Sequence, residues 1–188
     1  MELSDKIEIN APRERVFAAL NDEEILRQAI PGCETIESTG ENAYTATVSQ
    51  KIGPLKTRFK GAVRLTDIVS PESYTLEGSG KAGPAGHVKV RAAVRLEDTD
   101  NNGTLLNYDV HADIGGKLAQ LGGHLVESTS KKLSAEFFWR LENLITQDEV
   151  SNAPPVNASS IEHSDQNTKL LWFVGAACAV GVLLWLVL

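Results

Sequence analysis

HVKVRAAVRLEDTDNNGTLLNYDVHADIGGKLAQLGGHLVESTSKKLSAEFFWRLENLI, from His87 to Ile145, contains two alternating runs, a turn and a change of period. Val88, Val90, Ala92, Val94 and Leu96 alternate with His87, Lys89, Arg91, Ala93 and Arg95. Leu106, Tyr108, Val110, Ala112 and Ile114 alternate with Asn107, Asp109, His111 and Asp113. A period of two marks strands with one dry face and one wet face. Asp100-Asn101-Asn102-Gly103 supplies the hairpin turn between them. After Gly115-Gly116 the positions Leu118, Leu121, Leu125, Thr129, Leu133, Phe137, Leu141 and Leu144 step by three or four. That spacing predicts one long amphipathic helix of about 30 residues.

The same reading extends towards the N-terminus. Leu3, Ile7 and Ile9 alternate with polar residues and predict a first strand from Glu2 to Ile9. Asn10 is a candidate N-cap for a helix with Pro12 in its first turn and Val16, Phe17 and Leu20 on its apolar side. A second short helix is expected over 23–29, ending before the turn Ile30-Pro31-Gly32-Cys33. Four or five strands then follow. Tyr44, Ala46 and Val48 alternate in one; Tyr74 and Leu76 begin another. Between them Leu55, Phe59, Gly61, Val63 and Leu65 share one face, opposite Lys56, Arg58, Lys60 and Arg64. Clean alternation implies an antiparallel sheet. The fold class is α+β: a curved sheet gripping the last long helix, with both apolar surfaces buried against each other.

The chain has 188 residues, a formal net charge of -7, and acidic and basic residues interspersed. Such a chain lacks the basic stripe of a nucleic-acid binder. Cys33 lies in the soluble part and Cys178 in the apolar tail, so the two do not form a disulfide framework, which favours a reducing compartment. The four histidines have no ligand spacing, so no metal is expected. The GxGxxG in Gly78-Ser79-Gly80-Lys81-Ala82-Gly83 is followed by Pro84 and a strand pattern, not by a helix, so a dinucleotide site is not expected, and 78–86 is read as a flexible Gly-rich hairpin loop. No Ser, Cys or Thr sits in a nucleophile elbow, and no catalytic residue is expected. Asp109 and Asp113 are read as cross-strand partners of Lys89, Arg91 or Arg95. The row Lys56, Arg58, Lys60 and Arg64 is either a solvated face or a dock for an acidic partner.

Three units are expected: a domain over 1–147, a polar linker over 148–169 and a transmembrane helix over 170–188. The linker carries Pro154-Pro155 and no apolar period, and acts as a tether. Leu170 to Leu188 is uncharged over 19 residues. As a helix it would span about 29 Å, close to a bilayer's hydrocarbon core. Trp172 and Trp185 sit near its ends, as interfacial aromatics do. The N-terminus has no signal-like apolar run, so the domain is expected on the cytoplasmic face of the cell membrane. Gly122-Gly123 inside the long helix costs about 1 kcal/mol each. The pair implies either a kink or a close approach that leaves an internal apolar cavity.

Several stretches together resemble a known family. They are NAPRERVFAALND at 10–22, AIPGCE at 29–34, KIGPLKTRFKGAVRL at 51–65, GSGKAGPAG at 78–86 and GGKLAQLGGHL at 115–125. They resemble the CoxG (carbon monoxide dehydrogenase G-subunit) family of the helix-grip superfamily, which includes START and polyketide cyclase-like (SRPBCC) domains. The resemblance implies a deep apolar cavity without catalytic residues. It also implies a quinone ligand such as menaquinone, or a lipid, and recruitment of a carbon monoxide dehydrogenase-type molybdenum hydroxylase to the membrane. Sheet walls would come from Phe59, Val63, Leu76, Val88, Val90, Tyr108 and Val110. Helix walls would come from Leu118, Leu121, Gly122, Leu125 and Phe137. Ile30, Pro31, Gly83 and Gly86 would form the mouth. Two other readings stand beside this one: a recruitment anchor with a filled core, and a small cyclase- or hydrolase-like enzyme, which would need inward titratable groups.

Overall fold

Alternating apolar side chains force the central chain into strands whose dry faces must meet something apolar. In the computed structural model, which describes residues 1–152, they meet a helix. Seven antiparallel strands form one sheet in the order β1-β7-β6-β5-β4-β3-β2. They are β1 Glu2–Ile9, β2 Cys33–Gly40, β3 Ala43–Ile52, β4 Leu55–Val69, β5 Ser73–Lys81, β6 His87–Asp98 and β7 Thr104–Gly115. Helices α1 Arg13–Ala19 and α2 Glu23–Ala29 link β1 to β2. A short helix, α3 Lys117–Gln120, leads into α4 Gly123–Asn152, which packs on the sheet's dry face. This is a curved sheet with a long C-terminal helix, consistent with the helix-grip arrangement.

The sheet order places β1 and β2 at opposite edges although only two short helices separate them in the chain. Met1 reaches across to β7, where its amino group donates to Ala112 O at 2.8 Å. α2 is capped by Asp22, whose carboxylate accepts from the N–H groups of Glu24 and Ile25, each at 2.9 Å. Asn10 does not cap α1. Pro12 occupies the N-cap position, and Asn10 instead donates its backbone and side-chain N–H groups to Glu142 on α4. The strand-to-helix turn spends Asn10 on tertiary contact because α4 passes beside it.

Three other expectations need correction. Six strands follow the helices, not four or five; β2 gives little sequence signal because Ile36 is its only buried residue and its pairing with β3 shifts register twice. The last helix is two pieces, since Gly122 has φ +87° and ends the first. Within α4 Val126 and Ser130 face the core, while Leu125 and Thr129 are only half-buried; Leu133, Phe137 and Leu141 follow the expected stripe, and Leu144 is half-buried. Gly78 and Gly80 lie within β5, and only Gly83–Ala85 forms a turn, a single 3₁₀ coil.

α4 continues to Asn152, into the stretch read as linker. The rest of that stretch and the apolar run 170–188 lie outside the described residues. Among the described residues no helix is long and apolar enough to cross a membrane.

Candidate functional site

The period-two strands aim the expected sheet walls inward together. Phe59, Val63, Leu76, Val88, Val90, Tyr108 and Val110 are each 0–5% exposed. Leu118 and Phe137 meet them from the helical side, equally buried. These side chains belong to one continuous apolar cluster, and their low exposure means that protein atoms occupy the space between sheet and helix. Aromatic rings knit it together. Tyr108 stacks on Phe138 with ring centres 6.1 Å apart, and Phe138 meets Phe137 edge-on at 5.0 Å. Phe17 meets Tyr74 edge-on at 6.0 Å.

The helical contributors differ from the expected set because the inward face of α4 is wider than a single stripe. Val126, Ser130, Ser134 and Phe138 face inward, and a periodicity count that begins at Leu118 misses them. The doublet Phe137-Phe138 is the available signal for a wider inward face. Gly122 is exposed, and a Cβ built on it would meet nothing within 4 Å, so it does not line the interior.

Three hydroxyls, of Tyr108, Ser130 and Ser134, are built into this apolar space. The Tyr108 phenol hydrogen-bonds Ser134. Burial raises the phenol's pKa; the Ser134 bond opposes that rise and Asp5 adds to it. Ser130 donates to its own helix at Val126 O, 2.8 Å away. Cys33 is half-buried, and its thiol is pushed up chiefly by burial, so it is kept protonated. Among the described residues no group of three or more His, Cys, Asp or Glu side chains could hold a metal ion.

One end of the grip is different. The β3–β4 hairpin, the 3₁₀ turn, the end of β7 and α3 converge there. Gly86 packs so tightly on β7 that an added Cβ would lie 1.9 Å from Gly115 O. Leu125 lies against Gly53, whose Cβ would come 2.7 Å from Leu125 Cδ2. Leu55, Ala85, Ile114 and Leu121 are only partly buried where they pack on the core. Of the expected mouth residues, Gly83 is exposed and Gly86 half-buried at this end. Ile30 and Pro31 are buried instead, with Pro31 O accepting the Gln50 side-chain amide.

Outside the grip, Asp113 lies opposite Lys89 as expected. Asp109 lies opposite Ala93 and accepts from Ser4 Oγ at 2.6 Å, so its cross-strand partner is a hydroxyl, not a cation.

The family model for CoxG, the carbon monoxide dehydrogenase G-subunit, matches residues 6–146. A conserved protein from Geobacillus kaustophilus has a solved structure with 30% identity and a TM-score of 0.75, covering 79% of this chain and 97% of its own. A START superfamily protein from Mycobacterium smegmatis superposes with a TM-score of 0.60 at 14% identity, over 78% of this chain and 97% of its own. A protein from Thermus thermophilus does so with a TM-score of 0.59 at 15% identity, over 79% and 99%. No curated protein matches this chain.

Proposed function

The chain belongs to the CoxG family, named for carbon monoxide dehydrogenase, and from that premise we propose a membrane-anchored carrier and adaptor. The domain takes a hydrophobic ligand, of the quinone or lipid class, between sheet and α4. It presents that ligand to a molybdenum hydroxylase of the carbon monoxide dehydrogenase type at the cytoplasmic face. The observation that carries the reading is the half-buried apolar rim of Leu55, Ala85, Ile114 and Leu121, beside the helix break at Gly122. Ile7, Ile25, Ile68 and Leu144 are half-buried elsewhere, but at this rim the helix break at Gly122 gives an apolar molecule a place to enter. The uncharged run 170–188 supports an anchor that holds the rim near the lipid supply.

The domain works by shielding. A quinone tail is insoluble in water, so a soluble enzyme reaches it only through a carrier. The chain's own residues bind and orient; no proton or electron step is assigned to them. In the present arrangement the wall residues touch one another, so uptake requires α3 and the rim to part.

That filled interior favours a second reading, a recruitment anchor that carries no ligand. One experiment separates the two. Full-length protein is mixed with menaquinone-loaded vesicles, re-isolated and extracted for quinone. Stoichiometric quinone supports the carrier. Its absence, with hydroxylase still retained on membranes bearing the chain, leaves the anchor alone.

A further inference from the structure

A cavity of about 600 Å³ lies on the outer, wet face of the sheet, not inside the grip. Two cross-strand rows build it. One runs through Thr35, Thr47, Lys60, Lys81 and His87, and the next through Glu37, Thr45, Ala62, Ser79 and Lys89, so one carboxylate stands at the β2 end and the cations at the β4–β6 end. Ala62 and Ser79 are short, so the centre is hollow while the lysines stand at its rim. The trough reaches from β2 to β6. Five strands at ~4.8 Å spacing make it roughly 19 Å long.

The charges here are unlike those of the neighbouring row. Arg64, Glu77, Arg91, His111 and Glu2 lie in register there, and Glu77 pairs with Arg91 at 2.8 Å. In the trough Lys60 lies directly opposite Lys81, and Lys81 opposite His87. Like charges facing each other across strands are destabilising. Among the described residues none of Lys60, Lys81 and Lys89 has a carboxylate within 4.0 Å. Glu34, whose ionised form Lys60 favours, is already held by Ser49 at 2.5 Å and by Arg58. Asp113, opposite Lys89, lies 3.8 Å from His111. This cationic cluster persists in a chain of net charge -7.

The β4–β6 end of the trough calls for an anion with several charges, away from Glu37 at the β2 end. Its cations are spread over three strands, roughly 10 Å. Strand N–H groups at its floor are committed to the ladder, so recognition falls to side chains and not to the backbone cradle that phosphates use. We propose that this trough docks an acidic, extended segment of a protein partner, seating Asp or Glu carboxylates on Lys60, Lys81 and Lys89. The proposal rests on the recruitment part of the function above and is independent of whether the interior takes a ligand.

The test uses the full chain and a fluorescent peptide of alternating glutamate and serine, followed by anisotropy. Saturable binding that weakens steeply with salt is expected. K60Q/K81Q/K89Q should bind about tenfold more weakly, the sum expected of three exposed ion pairs. It should also melt no lower than the parent, since repulsion is removed. If the triple variant does not fold, K81Q alone should lose about twofold. R64Q/R91Q, in the alternating row, should bind the peptide as the parent does. Absence of saturable binding overturns the proposal, as does equal loss in both multiple variants. So does binding of tripolyphosphate or phosphatidylglycerol vesicles through the same lysines when the peptide fails. Quinone uptake by K60Q/K81Q/K89Q should equal that of the parent, so failure here leaves the carrier reading standing.

Discussion

Asn10 gives both its backbone N–H and its side-chain amide to one oxygen of Glu142, at 2.9 and 2.7 Å. Two bonds on a single carboxylate oxygen tie the end of β1 to the far half of α4. The link lies at the surface, so it is worth the lower range of charged hydrogen bonds. Glu142→Ala should cost about 1 kcal/mol in denaturant unfolding. Asn10→Ala should cost less, because its backbone donor remains. The double variant should cost less than the two single changes added together, as expected for residues in contact; strict additivity would mean that the tie carries no stability.

Gly122 should be sensitive to backbone shape and insensitive to volume. Its φ of +87° disfavours a side chain, yet space around its Cβ is open. Gly122→Ala should lower stability by about 1 to 2 kcal/mol. Gly122→Asn, which tolerates the left-handed region, should recover much of that loss. Thermal melts of the two variants check it; equal damage would point to crowding instead.

Tyr108 should make stability pH-dependent on the alkaline side. Burial holds its folded-state pKa above that of a free phenol. Its contribution is therefore complete below the unfolded phenol's pKa of about 10 and is lost as pH rises through the folded value. Tyr108→Phe forfeits the Ser134 bond and should cost about 1 kcal/mol near neutrality. The gap between parent and variant melting temperatures should hold below about pH 10 and narrow as the pH rises beyond it. A constant gap would mean that Tyr108 ionises freely.

Phe137 is fully buried between the sheet and Phe138. Phe137→Ala should cost about 3 to 5 kcal/mol, the usual range for emptying such a site. The vacated space should also admit a small apolar probe, read as a rise in melting temperature when the probe is added. No probe-dependent rise would show that the interior collapses to fill the gap.

Most of the grip was legible in the sequence because its strands alternate without interruption. β6 and β7 read as strands from Val88–Leu96 and Leu106–Ile114, and their register is that of a simple hairpin. The full inward face of the last helix was not legible. A periodicity count that follows one stripe passes over Val126, Ser130, Ser134 and Phe138, and it assumes a continuous helix where Gly122 breaks it. β2 was hidden because one buried residue in eight makes no alternation. The outer trough was hidden for a different reason. Lys60 reads along its own strand, in a row with Lys56, Arg58 and Arg64, and only the pairing of β4 with β5 sets it against Lys81.

The pairing of β1 with β7 has a consequence for synthesis. Glu2 pairs with His111, so the first strand of the sheet waits for the last. At roughly 5 to 20 residues per second, about 110 residues take on the order of 5 to 20 s to emerge. Until then β1 has no sheet neighbour, and its alternating face is open to other nascent chains. The charged residues Glu2, Asp5, Lys6 and Glu8 that flank its apolar positions are placed to keep that waiting strand solitary.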